Sequence, residues 1–354
     1  MGRAMTTSRP AAAAPSRRAV LLAAGGAAAL AAPRLARSQV GEPVRVILNW
    51  KLEGPNAPFF LAEDRGFFRD AGLAVRLDPG EGSSAPAGRV GSGAYDAGFG
   101  DLNALIEFNA RFPDRRLVGA LALYLKPPMC VVSLARARIA APPDLVGRRV
   151  GAPQNDAAFR LFPVFARATG LDAARVNFLA VQPNIREAML ARGDVEAVTG
   201  FDSTVWFSLK GLGVRREDVR FLYYADHGVD VLSNGIMLSP AFARDRPEAA
   251  RAFVRAVARG WAEAARDPAA ATAHITRRER LLDAGLEEER LRWVLDNQVR
   301  APDAMAHGMG HVPAERLARC IATVVEAFGL PRAPAPEEVL DPAFLPPAAD
   351  RSLA

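Results

Sequence analysis

LNWKLEGPNAPFFLAEDRGFFRDAGL, residues 48–73, joins the end of an apolar run to a short helical one through a polar and aromatic turn. The run VRVIL (44–48) is β-branched and apolar, as a strand requires. It stops at Asn49-Trp50, and Ala57-Pro58-Phe59 then opens a helix with proline in its first turn. Gly66-Phe67-Phe68 and Gly72-Leu73 punctuate the chain before the next β-type run, AVRL (74–77). Strand, short helix and second strand together make the first unit of an α/β layer.

The same alternation continues outward. Further β-type runs are DAGF (96–99), RLVGALALYL (116–125), MCVVSL (129–134), RRVGA (148–152), VNFLAV (176–181), VEAVTGF (195–201), VRFLYY (219–224) and GIMLS (235–239). Helical stretches separate them: Asp101 caps Leu102 to Phe112, Asp156 leads Ala157 to Thr169 with Gly170 as the stop, and Asn184 caps Ile185 to Arg192. This pattern predicts an α/β protein with largely parallel sheets. From Pro240 onward the periodicity is helical only, with Pro247 at the head of a long amphipathic helix and further segments at 286–299 and 313–328. The roughly 316 residues beyond the leader exceed what one core usually accommodates, which predicts two lobes.

The first 38 residues hold six arginines and no acid, followed by an apolar stretch, 19–32, too short to span a bilayer. Ser16-Arg17-Arg18-Ala19-Val20-Leu21-Leu22 reads as the core of a twin-arginine export signal, and Ala36-Arg37-Ser38 as its cleavage site. No cysteine lies near the end of the apolar stretch, so the expected product is periplasmic, soluble and not lipidated. Of 45 basic residues, removing those 6 leaves 39, against 39 acids. A formally neutral mature chain gives no footprint for nucleic acid. Cys130 and Cys320 are read as two separately buried thiols, with a disulfide as the alternative.

The opening segment resembles solute-binding proteins of ABC importers, in the branch that collects thiamine-pyrimidine precursors, nitrate, sulfonates and taurine (the SsuA/THI5-like, NMT1 family). The resemblance rests on Asn49-Trp50, Ala57-Pro58-Phe59, GFFRD (66–70), Gly72-Leu73, GSGAYDAGFGD (91–101), PDLVGRRVGAP (143–153), SNGIML (233–238) and the helix RAFVRAVARGWAEAARDPAAA (251–271). It implies the two-lobe periplasmic binding protein fold (type II), each lobe a mostly parallel sheet flanked by helices, with a helical C-terminal tail. The expected division is a signal over 1–38, lobe one from 42–126 plus 241–345, lobe two over 127–240 and a tail at 346–354. The crossings fall near 124–128, stiffened by Pro127-Pro128, and 225–239.

Ligands of open α/β sheets sit beyond the carboxyl ends of strands, and that rule selects the candidate site. Asn49, Trp50 and Asn56 follow the first strand; Trp50 offers a flat stacking face, and Phe59 either packs inward or walls the cleft. Gly82, Ser83 and Ser84 form a turn suited to an oxygen-rich group, or simply a flexible loop. Asp101 is a helix cap and a candidate acceptor for a ligand amine. Asn155, Asp156 and Asp202 lie at strand-to-helix turns of the second lobe, with Tyr124 and Asn234 at the crossings; Asn234 is equally a turn former beside Gly235. A planar nitrogen heterocycle fits Trp50, Asn49, Asn56 and Asp101, whereas a sulfonate, nitrate or carboxylate fits Ser83, Ser84 and the Asn155-Asp156 helix start.

The function these expectations describe is high-affinity capture of a small solute and delivery to an inner-membrane ABC permease, by lobe closure without chemistry, by a monomer that needs no cofactor. The alternatives are a pyrimidine-synthesis enzyme of the same fold or an extracytoplasmic sensor module. The enzyme chemistry of the resembled branch uses a histidine and a cysteine-rich iron site; here Asn56 stands at the matching place and only two cysteines exist. His307 and His311 are the one close histidine pair, but the glycines between them disfavour a helix and no H-E-x-x-H pattern accompanies them, so no metal site is expected.

Overall fold

A computed structural model describes residues 1–2 and 42–353; the expected export signal therefore lies outside the described residues. All ten β-type runs become strands: β1 (Val44–Ile47), β2 (Val75–Asp78), β3 (Ala97–Asp101), β4 (Val118–Ala122), β5 (Met129–Leu134), β6 (Arg149–Ala152), β7 (Asn177–Ala180), β8 (Ala197–Phe201), β9 (Val219–Tyr223) and β10 (Asn234–Leu238). They form two five-stranded sheets, ordered β2-β1-β3-β10-β4 and β7-β6-β8-β5-β9.

As expected, each sheet is mostly parallel, and one strand in each is reversed. In the first, β10 runs antiparallel to both β3 and β4; in the second, β5 runs antiparallel to both β8 and β9. Each reversed strand is the first one laid down after the chain passes from one sheet to the other. Composition signals strand formation but not direction, because a strand buried on both faces carries the same apolar run whichever way it points. The expected second-lobe span, 127–240, also runs too far: Asn234–Leu238 pairs with β3 and β4 and belongs to the first sheet.

Helices cover the sheets closely where glycine permits. Gly98 and Gly100 of β3 face the helix Ala85–Gly91; a Cβ on Gly100 would lie 2.7 Å from Pro86 Cγ, well inside any real contact. Behind the first sheet, the helix Pro247–Arg266 buries Ala250, Phe253, Val254, Val257, Trp261 and Ala264 along one stripe of helical period. Trp261 meets Phe59, Phe99 and Tyr124 at ring separations of 6.3, 6.1 and 6.1 Å. Truncating such a buried aromatic costs about 3–5 kcal/mol, so this cluster fixes the floor beneath the strand ends.

The later helices link the layers. Ala284–Val294 packs on both the 54–56 turn and the helix Asp202–Gly211, then continues as a π-turn, Leu295–Val299, whose Gln298 carbonyl accepts from Leu125 N and Lys126 N. The helix expected over 286–299 is thus α followed by π. The helix expected from Asp156 to Thr169 is broken at Leu161 into Ala157–Arg160 and Phe162–Thr169. Asn184 is not the cap of the next helix; Ile185 occupies that position. Past the last helices, Arg351 is 8% exposed and donates to the carbonyls of Pro346, His307 and Met309, which seats residues 348–353 against the body. Among the described residues no helix is long and apolar enough to cross a membrane. Cys130 and Cys320 are free and buried.

Candidate functional site

The carboxyl ends of β1, β2 and β3 meet those of β6 and β8, and the turns between them are tied together. Gly82 N donates to Asn49 O and Gly80 N to Trp50 O, so the loop after β2 is zipped to the end of β1. Across the gap, Ser84 N donates to Asn155 O at 3.1 Å and Ala157 N to Ser83 Oγ at 3.2 Å. Gly82 lies directly against Asn155 with φ +149°, a place with neither room nor conformation for a side chain.

Asn49, Trp50, Ser83, Asp156, Arg186, Phe201 and Thr204 line a narrow cavity between the sheets, in which the centre of a water-sized sphere has about 10 Å³. That is room for roughly one water, so any larger ligand requires the sheets to separate. Larger hollows of about 620, 570 and 630 Å³ lie elsewhere, the last of them lined in part by Lys51, Leu52 and Glu53 of the loop after β1.

Arg186 dominates the cavity. It is 1% exposed, and its Cζ sits 5.1 Å from the centre of the Trp50 ring. Glu187 Oε1 accepts from its Nε and Nη2, Thr199 O accepts from Nη1 at 3.0 Å, and Asp156 Oδ2 lies 3.8 Å away. Burial pulls the guanidinium down, but Glu187 and Asp156 outweigh it and leave Arg186 raised. Asp156 is raised by burial, against the opposing pull of Arg186 and of Thr199, whose Oγ1 donates to it at 2.8 Å. Two carboxylates thus hold one guanidinium, whose face is turned to Trp50. Trp50 Nε1 is buried with no partner.

The other expected site residues divide by how their polar atoms are spent. Asn56 is fully buried and uses its amide on Asn49 Oδ1 and Glu53 N, so it orients Asn49 from behind. Phe59 lies in the core, 5.1 Å from Phe99, and does not line the cavity. Tyr124 is packed among Phe99, Phe201 and Trp261. Asp202 accepts from Ser203 N, Tyr223 OH, Trp293 Nε1 and Gln298 Nε2, so both its oxygens are taken by protein donors; burial still pushes it up to about 6. Asp101 caps the helix Leu102–Arg111 through Asn103 N, and burial pushes it up to about 7. Asn234 stands opposite Asp101 in the β10–β3 register; it is fully buried and neither atom of its amide has a partner. Ser84 Oγ is likewise buried and unpartnered, while Asn155 is exposed.

Sequence reasoning missed Arg186, Thr204 and Glu53. Glu53, 3% exposed, accepts from Thr204 Oγ1 at 2.8 Å and from Arg290 Nη1 at 3.1 Å, which joins the loop after β1 to the helix Asp202–Gly211 and to the helix Ala284–Val294. A signal for Arg186 was present. It is the first residue of its helix, where the helix dipole disfavours a cation, so an arginine there needs another reason. Among the described residues no group of three or more His, Cys, Asp or Glu side chains is placed to hold a metal ion.

Two mixed five-stranded sheets with facing strand ends and a helical C-terminal portion define the periplasmic binding protein fold. The alkanesulfonate-binding protein SsuA of Xanthomonas axonopodis pv. citri, solved bound to MOPS, superposes with a TM-score of 0.64 at 16% identity over 84% of this chain and 98% of that one. The chain belongs to the NMT1/THI5-like family, whose profile matches residues 55–271. A formylaminopyrimidine-binding protein of Halalkalibacterium halodurans is 26% identical over 222 residues, 62% of this chain and 66% of the relative. A 4-amino-5-hydroxymethyl-2-methylpyrimidine phosphate synthase of Legionella pneumophila is 24% identical over 236 residues, 66% of this chain and 73% of the relative.

Proposed function

We propose that this protein is an extracytoplasmic solute receptor, exported by the twin-arginine route, that closes two lobes on a planar, nitrogen-rich heterocycle of the aminopyrimidine kind and hands it unaltered to an ABC permease. The lobes are built on the two sheets. The observation that carries the reading is the cavity itself, in which the Trp50 ring faces Arg186 and Arg186 is already claimed by Glu187 and Asp156. A sulfonate or nitrate would have to compete with two carboxylates for the one buried cation of the cavity wall, at the cost of its own desolvation. A flat heterocycle instead gains a stacking face from Trp50 and an acceptor for an exocyclic amine from Asp156. Unpartnered amide atoms on Asn234 and the unpartnered Trp50 Nε1 supply further donors and an acceptor at the same strand ends. The name of the Halalkalibacterium relative agrees with this ligand class.

The name of the Legionella relative supports a second reading, synthesis of the pyrimidine. Asn56 argues against it, since its amide is held between Asn49 and Glu53 and has no proton to exchange in acid–base chemistry. Native mass spectrometry of solute carried through purification, followed by calorimetric titration of 4-amino-5-hydroxymethyl-2-methylpyrimidine, its N-formylamino analogue, taurine and nitrate, tests both readings. Tight binding of a pyrimidine recovered intact supports the receptor. Preferential binding of taurine or nitrate overturns the ligand class, and conversion of the pyrimidine overturns the receptor.

A further inference from the structure

We propose that the groove at one edge of the cleft is a docking surface for an acidic, apolar-tipped loop of the importer's membrane subunit, and that it is complete only when the two sheets are together; this rests on the receptor reading. The groove, about 390 Å³, runs between the helices Ala85–Gly91 and Leu102–Arg111 of the first sheet and Asn155 and Arg160 of the second. Its charge is one-sided. Arg89, Arg111 and Arg160 line it against a single acid, Glu107, and Glu107 is already shared: Oε1 lies 3.2 Å from Arg111 and Oε2 accepts from Arg160 at 2.9 Å. Arg115 adds a fourth cation beside it, stacked 5.0 Å over the Phe112 ring. Among the described residues neither Arg89 nor Arg115 has an ion-pair partner.

The apolar part of the groove is equally particular. Phe112 is 41% exposed and lies 4.9 Å from Phe108, one of the few large aromatic side chains the chain leaves in solvent. Uncompensated arginines beside an exposed aromatic pair suit a partner that brings carboxylates and one apolar side chain. A concave groove favours a protein loop over a flat anionic bilayer. The dependence on closure follows from connectivity: Arg160 and Asn155 reach the groove only through the Arg160–Glu107 and Ser84–Asn155 bonds, both of which join one sheet to the other. A partner reading this edge therefore distinguishes the closed receptor from the open one.

The test uses the mature chain, fluorescein-labelled hexaglutamate with a terminal leucine, and phosphatidylglycerol vesicles. Arg89→Glu with Arg115→Glu is expected to weaken peptide binding about tenfold, while solute affinity stays unchanged and solute uptake by cells falls. Arg215→Glu, outside the groove, is expected to leave all three unchanged. Peptide binding that survives the double reversal, or that falls equally with Arg215→Glu, overturns the proposal. So does vesicle binding that the double reversal abolishes while the peptide fails to bind, which assigns the patch to lipid. Solute binding that is insensitive to Trp50→Ala would instead overturn the receptor reading, and it is measured separately.

Discussion

Arg186 and Arg290 are both almost fully buried, and each lies between two carboxylates: Asp156 and Glu187 for the first, Glu53 and Glu287 for the second. Their chemistry is the same and their connectivity is not. All three members of the Arg186 group hang from the second sheet, and only the guanidinium face touches Trp50, at the end of β1. The Arg290 group is drawn from the loop after β1 and the helix Ala284–Val294, and Thr204 of the helix Asp202–Gly211 completes it. Parting the sheets leaves the Arg186 group whole, with one face uncovered. The same movement must separate Thr204 from Glu53. A buried ion cluster adds little net stability but is costly to leave half-made. On the closure proposed above, the first arrangement presents a prepared surface and the second penalises a partly closed state.

Removing one partner gives the sharpest contrast. Arg290→Ala strands Glu53 and Glu287 in the interior and is expected to lower unfolding stability by about 3–5 kcal/mol in urea denaturation, with recovery when Arg290→Met is combined with Glu53→Gln and Glu287→Gln. A loss below about 1 kcal/mol would mean that water reaches the cluster and that it does not act as a latch. Arg186→Ala is expected to weaken solute binding about a hundredfold, near 2.7 kcal/mol, by calorimetry. Equal losses of affinity for Arg186→Ala and Arg290→Ala would erase the distinction between the two clusters.

A smaller effect comes from pH. Burial raises Asp101 to about 7 and Asp202 to about 6, so the folded chain holds protons that the unfolded chain has released. Their contribution to stability is complete below the ordinary carboxyl range and is lost as pH rises through about 6 to 7. Melting temperature is therefore expected to fall between about pH 5 and pH 7 and to level off above that, with Asp202→Asn flattening the lower part of the slope; a temperature that rises over this range would contradict the burial. Trp50→Ala is expected to weaken solute binding at least about tenfold, or 1.4 kcal/mol, and an unchanged affinity would remove Trp50 from the site. Lys210→Ala, which breaks the exposed pair with Glu289 and a long contact over the Phe207 ring, is expected to change stability by less than about 0.5 kcal/mol.

How much of this was legible in the sequence follows from what local pattern encodes. Each strand announced itself because β-branched and apolar runs sit between glycine, proline and helix caps. The reversal of β5 and β10 did not, since direction is decided by where the chain crosses between sheets. The strand-end rule selected Asn49, Trp50, Ser83 and Asp156, which line one cavity, because it is a rule about backbone geometry. It could not tell which polar atoms were already spent, and so it gave Asn56 and Asp202 the same standing as Asn49, although Asn56 braces a neighbour and Asp202 is saturated by four donors. Arg186 escaped because it opens a helix several residues beyond its strand. Glu53, Thr204 and Arg290 are 151 and 237 positions apart along the chain, and no local pattern links them.

The placement of β10 bears on how the molecule is assembled. β10 must return past a hundred residues to lie between β3 and β4. Until it does, the first sheet is incomplete and the seat of Arg351 against His307, Met309 and Pro346 has no finished body to close on. Assembly with such distant pairings is slow, and a chain caught before that return would offer β3 and β4 as open edges to any neighbouring strand.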